Sequence, residues 1–208
     1  FWKRLALIAA CLALLSAAPS VRAQTVEAFG DDATDPVRLF ERGQSAHARG
    51  ELEKALGFYE QALKVRPEFP EAEFQRGNAL ASLNRLPEAE QAFRLAISYK
   101  KNWSLPYSAL GVALMRQNRD HDAEDAFRQA LNLDNKESVA LRMLSDLRLR
   151  AGDAASALDF AKRATANPAA PASAWVSLAL AEKASGNKAG AKAAVDHDWD
   201  RVTQTLHD

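Results

Sequence analysis

Large apolar, small and polar positions recur along this chain on a fixed beat of 34 residues. In the first stretch, Leu39, Ala46, Leu52, Ala55, Leu56, Tyr59, Ala62 and Leu63 fall at helical spacing with polar residues between them. Asp35 followed by Pro36 reads as a helix cap and first helical residue. Gly50 breaks the pattern, and Glu51 to Val65 reads as a second helix. One such hairpin cannot bury its own apolar stripe. Stacked neighbours bury a continuous core, so the pattern predicts an array stable only as an array.

The beat is strict. Alanine stands at Ala55, Ala89, Ala123, Ala157 and Ala191. Gly43, Gly77, Gly111, Ser145 and Ala179 form a second series, all small. Gly50, Asn84, Asn118, Gly152 and Gly186 form a third, restricted to the two residues that most readily adopt the left-handed conformation ending a helix. Small residues at positions 8 and 20 of each unit are expected to let its two helices approach closely.

Numbered from Pro36, Pro70, Ser104, Ser138 and Ala172, position 4 holds Leu39, Glu73, Tyr107, Leu141 and Trp175. Position 24 holds Tyr59, Phe93, Phe127, Ala161 and Val195, and position 27 holds Ala62, Ala96, Ala130, Ala164 and Asp198. Pro67 occupies position 32 of the first unit, and Pro168 falls one residue early in the fourth. This pattern resembles the tetratricopeptide repeat, a helix–turn–helix of 34 residues. The resemblance implies an all-α, right-handed alpha-alpha superhelix of five antiparallel hairpins, spanning 36–69, 70–103, 104–137, 138–171 and 172–206. Val195, Trp199, Val202 and Leu206 continue the last stripe, and Asp198 in place of alanine suits a terminal cap.

The family binds ligands mainly on the concave face, lined by the first helix of each hairpin. By position, the resemblance implies a peptide-binding groove of Phe40, Gln44, His47, Phe74, Asn78, Val112, Met115, Arg116, Arg142, Met143 and Arg150. Gln75, Ser82, Ser108, Val139, Asp146, Val176, Leu180 and Lys183 fall on the same face. Methionine suits adaptable apolar recognition, and the three arginines offer fork-shaped donors for a carboxylate. Aromatics at position 5 are equally common as filling between helices, so both roles stay open. The family's two-carboxylate clamp needs Lys, Asn, Asn, Lys and Arg in fixed places. This chain offers Phe40, Gln44, Gln75, Leu105 and Ala109 in one register and Phe74, Asn78, Ala109, Val139 and Met143 in the next. Neither is a clamp.

Composition narrows the function. Basic and acidic residues balance at 27 each, with no block of like charge, so no nucleic-acid footprint is present. His47, His121, His197 and His207 include no pair at i, i+3 or i, i+4, and solvated surface positions are expected for all four. The nine glycines form no phosphate-cradling loop. The expectation is a protein that is not an enzyme, with no metal and no cofactor.

The first residues bear on compartment. Lys3 and Arg4 precede an apolar run from Leu5 to Ala18, and Val21-Arg22-Ala23 follows as an A-x-A-like site. Residues 1–23 therefore read as a signal peptide, and the run of 14 is short for a membrane span. Cleavage would remove three basic residues and leave 24 basic against 27 acidic, a net of −3. Cys11, the single cysteine, gives a competing reading: Ile8-Ala9-Ala10-Cys11 resembles a lipobox, with membrane attachment by lipidation at Cys11. Residues 24–35 read as a flexible polar lead-in. The resulting expectation is an exported, periplasmic or secreted scaffold that binds a protein or peptide partner in envelope assembly. The alternative is a self-associating structural repeat, a homo-oligomer, or a fragment of a larger multi-domain protein.

Overall fold

The structure, a computed structural model, describes residues 35–167 and 170–205, with side chains placed as far as His197. The leader at 1–23, Cys11, Pro168 and Leu206 lie outside the described residues, as do the side chains of Asp198, Trp199 and Val202. Among the described residues ten helices alternate in five hairpins: α1 (Pro36–Ala48) with α2 (Leu52–Val65), α3 (Pro70–Ser82) with α4 (Leu86–Tyr99), α5 (Ser104–Arg116) with α6 (Asp120–Leu133), α7 (Ser138–Arg150) with α8 (Ala154–Ala164), and α9 (Ala172–Ala184) with α10 (Lys188–Thr205). Among the described residues there is no strand. Each second helix packs on the first helix of the following hairpin, and successive first helices touch one another along one face.

The hairpin turn is the same device five times. Gly50, Asn84, Asn118, Gly152 and Gly186 all have positive φ, from 58° to 83°. In the first turn the Gly50 N–H donates to the His47 carbonyl and the Glu51 N–H to the Ala46 carbonyl. The later turns repeat this pair of bonds, which satisfies carbonyls that the helix end leaves orphaned. Asp35 caps α1, its Oδ1 accepting from Val37 N at 2.9 Å.

Close approach within a hairpin has a specific partner: the small residue at position 8 lies against the aromatic ring at position 24. A Cβ at Gly77 would meet the Phe93 ring at 2.5 Å, and one at Gly111 would meet Phe127 at 2.5 Å; Gly43 stands likewise against Tyr59. In the fourth hairpin the ring is replaced by Ala161. There Ser145 at position 8 meets position 20, its Oγ donating to the Ala157 carbonyl at 2.9 Å.

The fifth hairpin departs from the stripe predicted for it. Val195 is 56% exposed, whereas Tyr59, Phe93, Phe127 and Ala161 at the same position are at most 1% exposed. Ala194 is buried instead. His197 is exposed, as expected, and one face of its ring stacks on Trp175 with centroids 3.7 Å apart.

Polar contacts bridge neighbouring hairpins. Glu90 on α4 receives Arg119 at 2.9 Å. Arg148 on α7 pairs with Glu124 on α6. Ser108 donates to the buried Glu137, whose carboxylate also caps α7 through Val139 N and Ala140 N. Glu73 stands where other units place a large apolar or aromatic residue; it is 4% exposed and pairs with Arg76 at 3.0 Å. Burial pushes its carboxyl above the usual range, against the attraction of Arg76. Among the described residues, no helix is long and apolar enough to cross a membrane.

Candidate functional site

The common face of α1, α3, α5, α7 and α9 divides into two chemically different halves. At the first three hairpins it carries a hollow of about 560 Å³, lined by Gln44, His47, Tyr59, Gln75, Asn78, Ser82 and Arg116 with Ala48 and Ala81. Residues expected in the groove from three separate repeats thus share one cavity. Asn78 Nδ2 donates to Gln75 Oε1 at 3.3 Å, a bond that uses neither the Gln75 amide N–H groups nor Asn78 Oδ1. Ser82 donates to the Asn78 carbonyl at 3.0 Å.

The two half-buried aromatics pack between hairpins. Phe40 lies between two hairpins, its ring centroid 5.9 Å from Tyr59 and 5.1 Å from Phe69. Phe74 does the same between Phe93, at 6.0 Å, and Trp103, at 4.8 Å. Val112, Met115 and Met143 are partly buried and pack against the main core. Ser108 is 2% exposed and committed to Glu137, so it presents nothing to the groove.

All three arginines are engaged by the chain itself. Arg142 lies 3.6 Å from Asp146, which also accepts from Ser177 at 2.9 Å. Arg150 reaches across a repeat to Asp120 at 3.0 Å. Arg116 differs in its partners, which are neutral: Nη1 donates to the Ala81 carbonyl at 2.7 Å and Nη2 to Asn84 Oδ1 at 3.0 Å. The first two charges are compensated locally, and that of Arg116 has no carboxylate partner among the described residues.

The second half of the face is apolar. Val176 and Leu180 project from α9 and are 53% and 50% exposed. They accompany Met143 and the half-buried Val139. Lys183 stands exposed at the end of the same helix face. A helix apolar on every side is ordinarily buried on every side; α9, whose only charged residues are Glu182 and Lys183, is buried on one side and open along Val176 and Leu180.

One residue of this face is absent from the expectation built on helix positions. Tyr59 belongs to a second helix, α2, yet lines the hollow. Its ring is fully buried and its hydroxyl has no hydrogen-bond partner. Desolvation pushes its pKa up to about 12, so the hydroxyl keeps its proton and remains a donor. The signal was present in the sequence, because units two and three place Phe93 and Phe127 at that position.

The described residues contain no group of three or more His, Cys, Asp and Glu side chains able to hold a metal ion.

A family model for the tetratricopeptide repeat matches residues 39–105 and 108–174. No curated protein matches the chain. Solved structures share its fold. YrrB, described as a TPR protein with an unusual peptide-binding site, is 20% identical, with a TM-score of 0.62 over 84% of this chain and 90% of its own. A thermophilic TPR protein of Thermus thermophilus is 20% identical, with a TM-score of 0.68 over 83% of this chain and 94% of its own. The first TPR of Spaghetti, solved with an HSP90 peptide, is 21% identical, with a TM-score of 0.55 over 58% of this chain and 95% of its own.

Proposed function

The chain belongs to the tetratricopeptide-repeat family, and from that premise we propose that it is an exported interaction scaffold without catalytic activity, holding a peptide segment of a partner protein on the face made by α1, α3, α5, α7 and α9. One observation carries the reading. Five adjacent helices present a polar hollow at one end and the exposed Val176 and Leu180 at the other, on one continuous surface. Each first helix is about 20 Å long, so the face suits an extended or helical segment better than a small metabolite. Peptide recognition described for YrrB and for the first TPR of Spaghetti supports the same use here.

The leader-like residues 1–23 support export, and envelope assembly is the setting that fits an exported repeat protein. N-terminal sequencing of the exported chain tests this part. A start at Gln24 fits cleavage after Ala23; a lipid-modified Cys11 replaces free secretion with anchoring.

The packing decides which variant tests the groove cleanly. Arg142→Glu would set like charge beside Asp146, and Met143→Glu would place a charge against the core, so both disturb folding. Val176→Glu with Leu180→Glu adds charge only where solvent already reaches. A crosslinking pull-down from the source envelope should return a partner with the parent chain and lose it with this pair. Identical captures would remove the groove from the account. The same exposed residues, with Val195, also favour a second reading, self-association of the last hairpin. Sedimentation across a concentration series that gives a dimer in the parent and a monomer in the Glu pair would support it.

A further inference from the structure

We propose that the hollow between the first three hairpins is a carboxylate-reading subsite for an acidic residue of the bound segment, with Arg116 as the charge partner and Tyr59 as a donor at the floor. The inference rests on the groove reading above and adds the chemistry of what one part of the groove accepts.

Three observations converge on it. No residue lining the hollow is acidic, so nothing there opposes an anion. Arg116 is oriented at its rim by two neutral acceptors, which fix the guanidinium without neutralising it. A guanidinium has five N–H donors in a planar fork; two are used here, leaving three for a ligand. Third, the Tyr59 hydroxyl is buried without a partner. An unsatisfied buried hydroxyl is unfavourable, and phenylalanine fills the same place in the next two units. A tyrosine there gains its missing bond only if something enters the hollow. The carboxamides of Gln44, Gln75 and Asn78 offer both donors and acceptors, the pair that an extended peptide main chain needs on either side of the acidic residue. His47 adds a further ring nitrogen to the same wall. The volume of about 560 Å³ accommodates a side chain with its flanking main chain.

The carboxylate has two possible sources, a Glu or Asp side chain or a free C-terminus. A synthetic nine-residue peptide array separates them. Each background sequence is made with Glu or Gln at the centre, and each with a free or an amidated C-terminus. The full chain, Tyr59→Phe, Arg116→Gln and, as a control on the outer helix α6 whose charge is paired with Glu124, Arg128→Gln are compared. For peptides that bind, the parent should prefer the carboxylate form by about tenfold or more. Arg116→Gln should bring that preference close to one, and Arg128→Gln should leave it intact. Tyr59→Phe should weaken the carboxylate peptides about three- to tenfold. Its thermal midpoint should hold or rise, because it removes an unpaired hydroxyl and substitutes the residue that units two and three already use. A hydroxyl with a purely structural role would instead lower the midpoint and leave affinity unchanged.

Binding that ignores Glu against Gln, or a preference that survives Arg116→Gln, overturns the subsite while leaving the groove reading in place. An array on which no peptide binds overturns both.

Discussion

Gly111 lies beneath the ring of Phe127 so closely that a methyl group there would come within 2.5 Å of the ring edge. Phe127 is fully buried and has nowhere to turn. Gly111→Ala should therefore destabilise the chain by about 1–3 kcal/mol. Gly57, inside α2, meets nothing within 4 Å. Gly57→Ala should stabilise by about 0.5–1 kcal/mol through helix propensity alone. Denaturant titration of the two variants side by side checks both signs.

The turns give a second contrast. Asn118 has φ of 58°. Asn118→Gly should be close to neutral, and Asn118→Ala should cost about 1–2 kcal/mol, because alanine meets a left-handed backbone without asparagine's local hydrogen bonding. Equilibrium unfolding of the pair measures the difference.

Glu73 and Arg76 are a buried pair set into an apolar layer. The corresponding positions hold Leu39 and Leu141 in one series and Leu110 and Leu144 in the other. Replacing both, as Glu73→Leu with Arg76→Leu, should be neutral or stabilising, whereas Glu73→Leu alone leaves a partly buried guanidinium unpaired and should be worse. The pH dependence has a definite sign. The folded carboxyl titrates above its unfolded value, so the folded state holds the proton more tightly. Its contribution is fully favourable below the ordinary carboxylate range and is lost as pH rises through the raised folded value. Stability curves of parent and double variant should diverge over that upward interval and nowhere else.

Glu137 joins two hairpins by capping α7 and accepting from Ser108. Glu137→Ala removes the cap and strands a buried hydroxyl, with an expected loss of about 1–3 kcal/mol. Ser108→Ala made in the Glu137→Ala background should then change little, and a double-mutant cycle reads that coupling.

Much of this architecture is visible in the residues themselves. Five Gly or Asn residues at one phase mark the turns, and five small residues mark the close approaches, because those demands are local and admit few residue types. Partner choice is not local. Arg116 bonds to Ala81 and Asn84, and Arg150 to Asp120, across a full repeat. A balanced chain of 27 basic and 27 acidic residues offers many such pairings, and spacing does not select among them. The groove arginines therefore read as free forks in the sequence and prove to be tethered. Val195 illustrates another limit. Its phase is that of Tyr59, yet it is exposed and its neighbour Ala194 takes the buried place. Tyr59 was legible as an exception to Phe93 and Phe127, although the assignment of binding positions to first helices hid it.

Site-specific photo-crosslinking tests the central claim most directly. A benzophenone side chain is placed at Gln44, at Leu180 and, as an outer-helix control, at the exposed Gln91 on α4. The account predicts one partner adduct from both Gln44 and Leu180 and none from Gln91. Adducts from Gln91 alone, or only self-adducts of this chain, would contradict it.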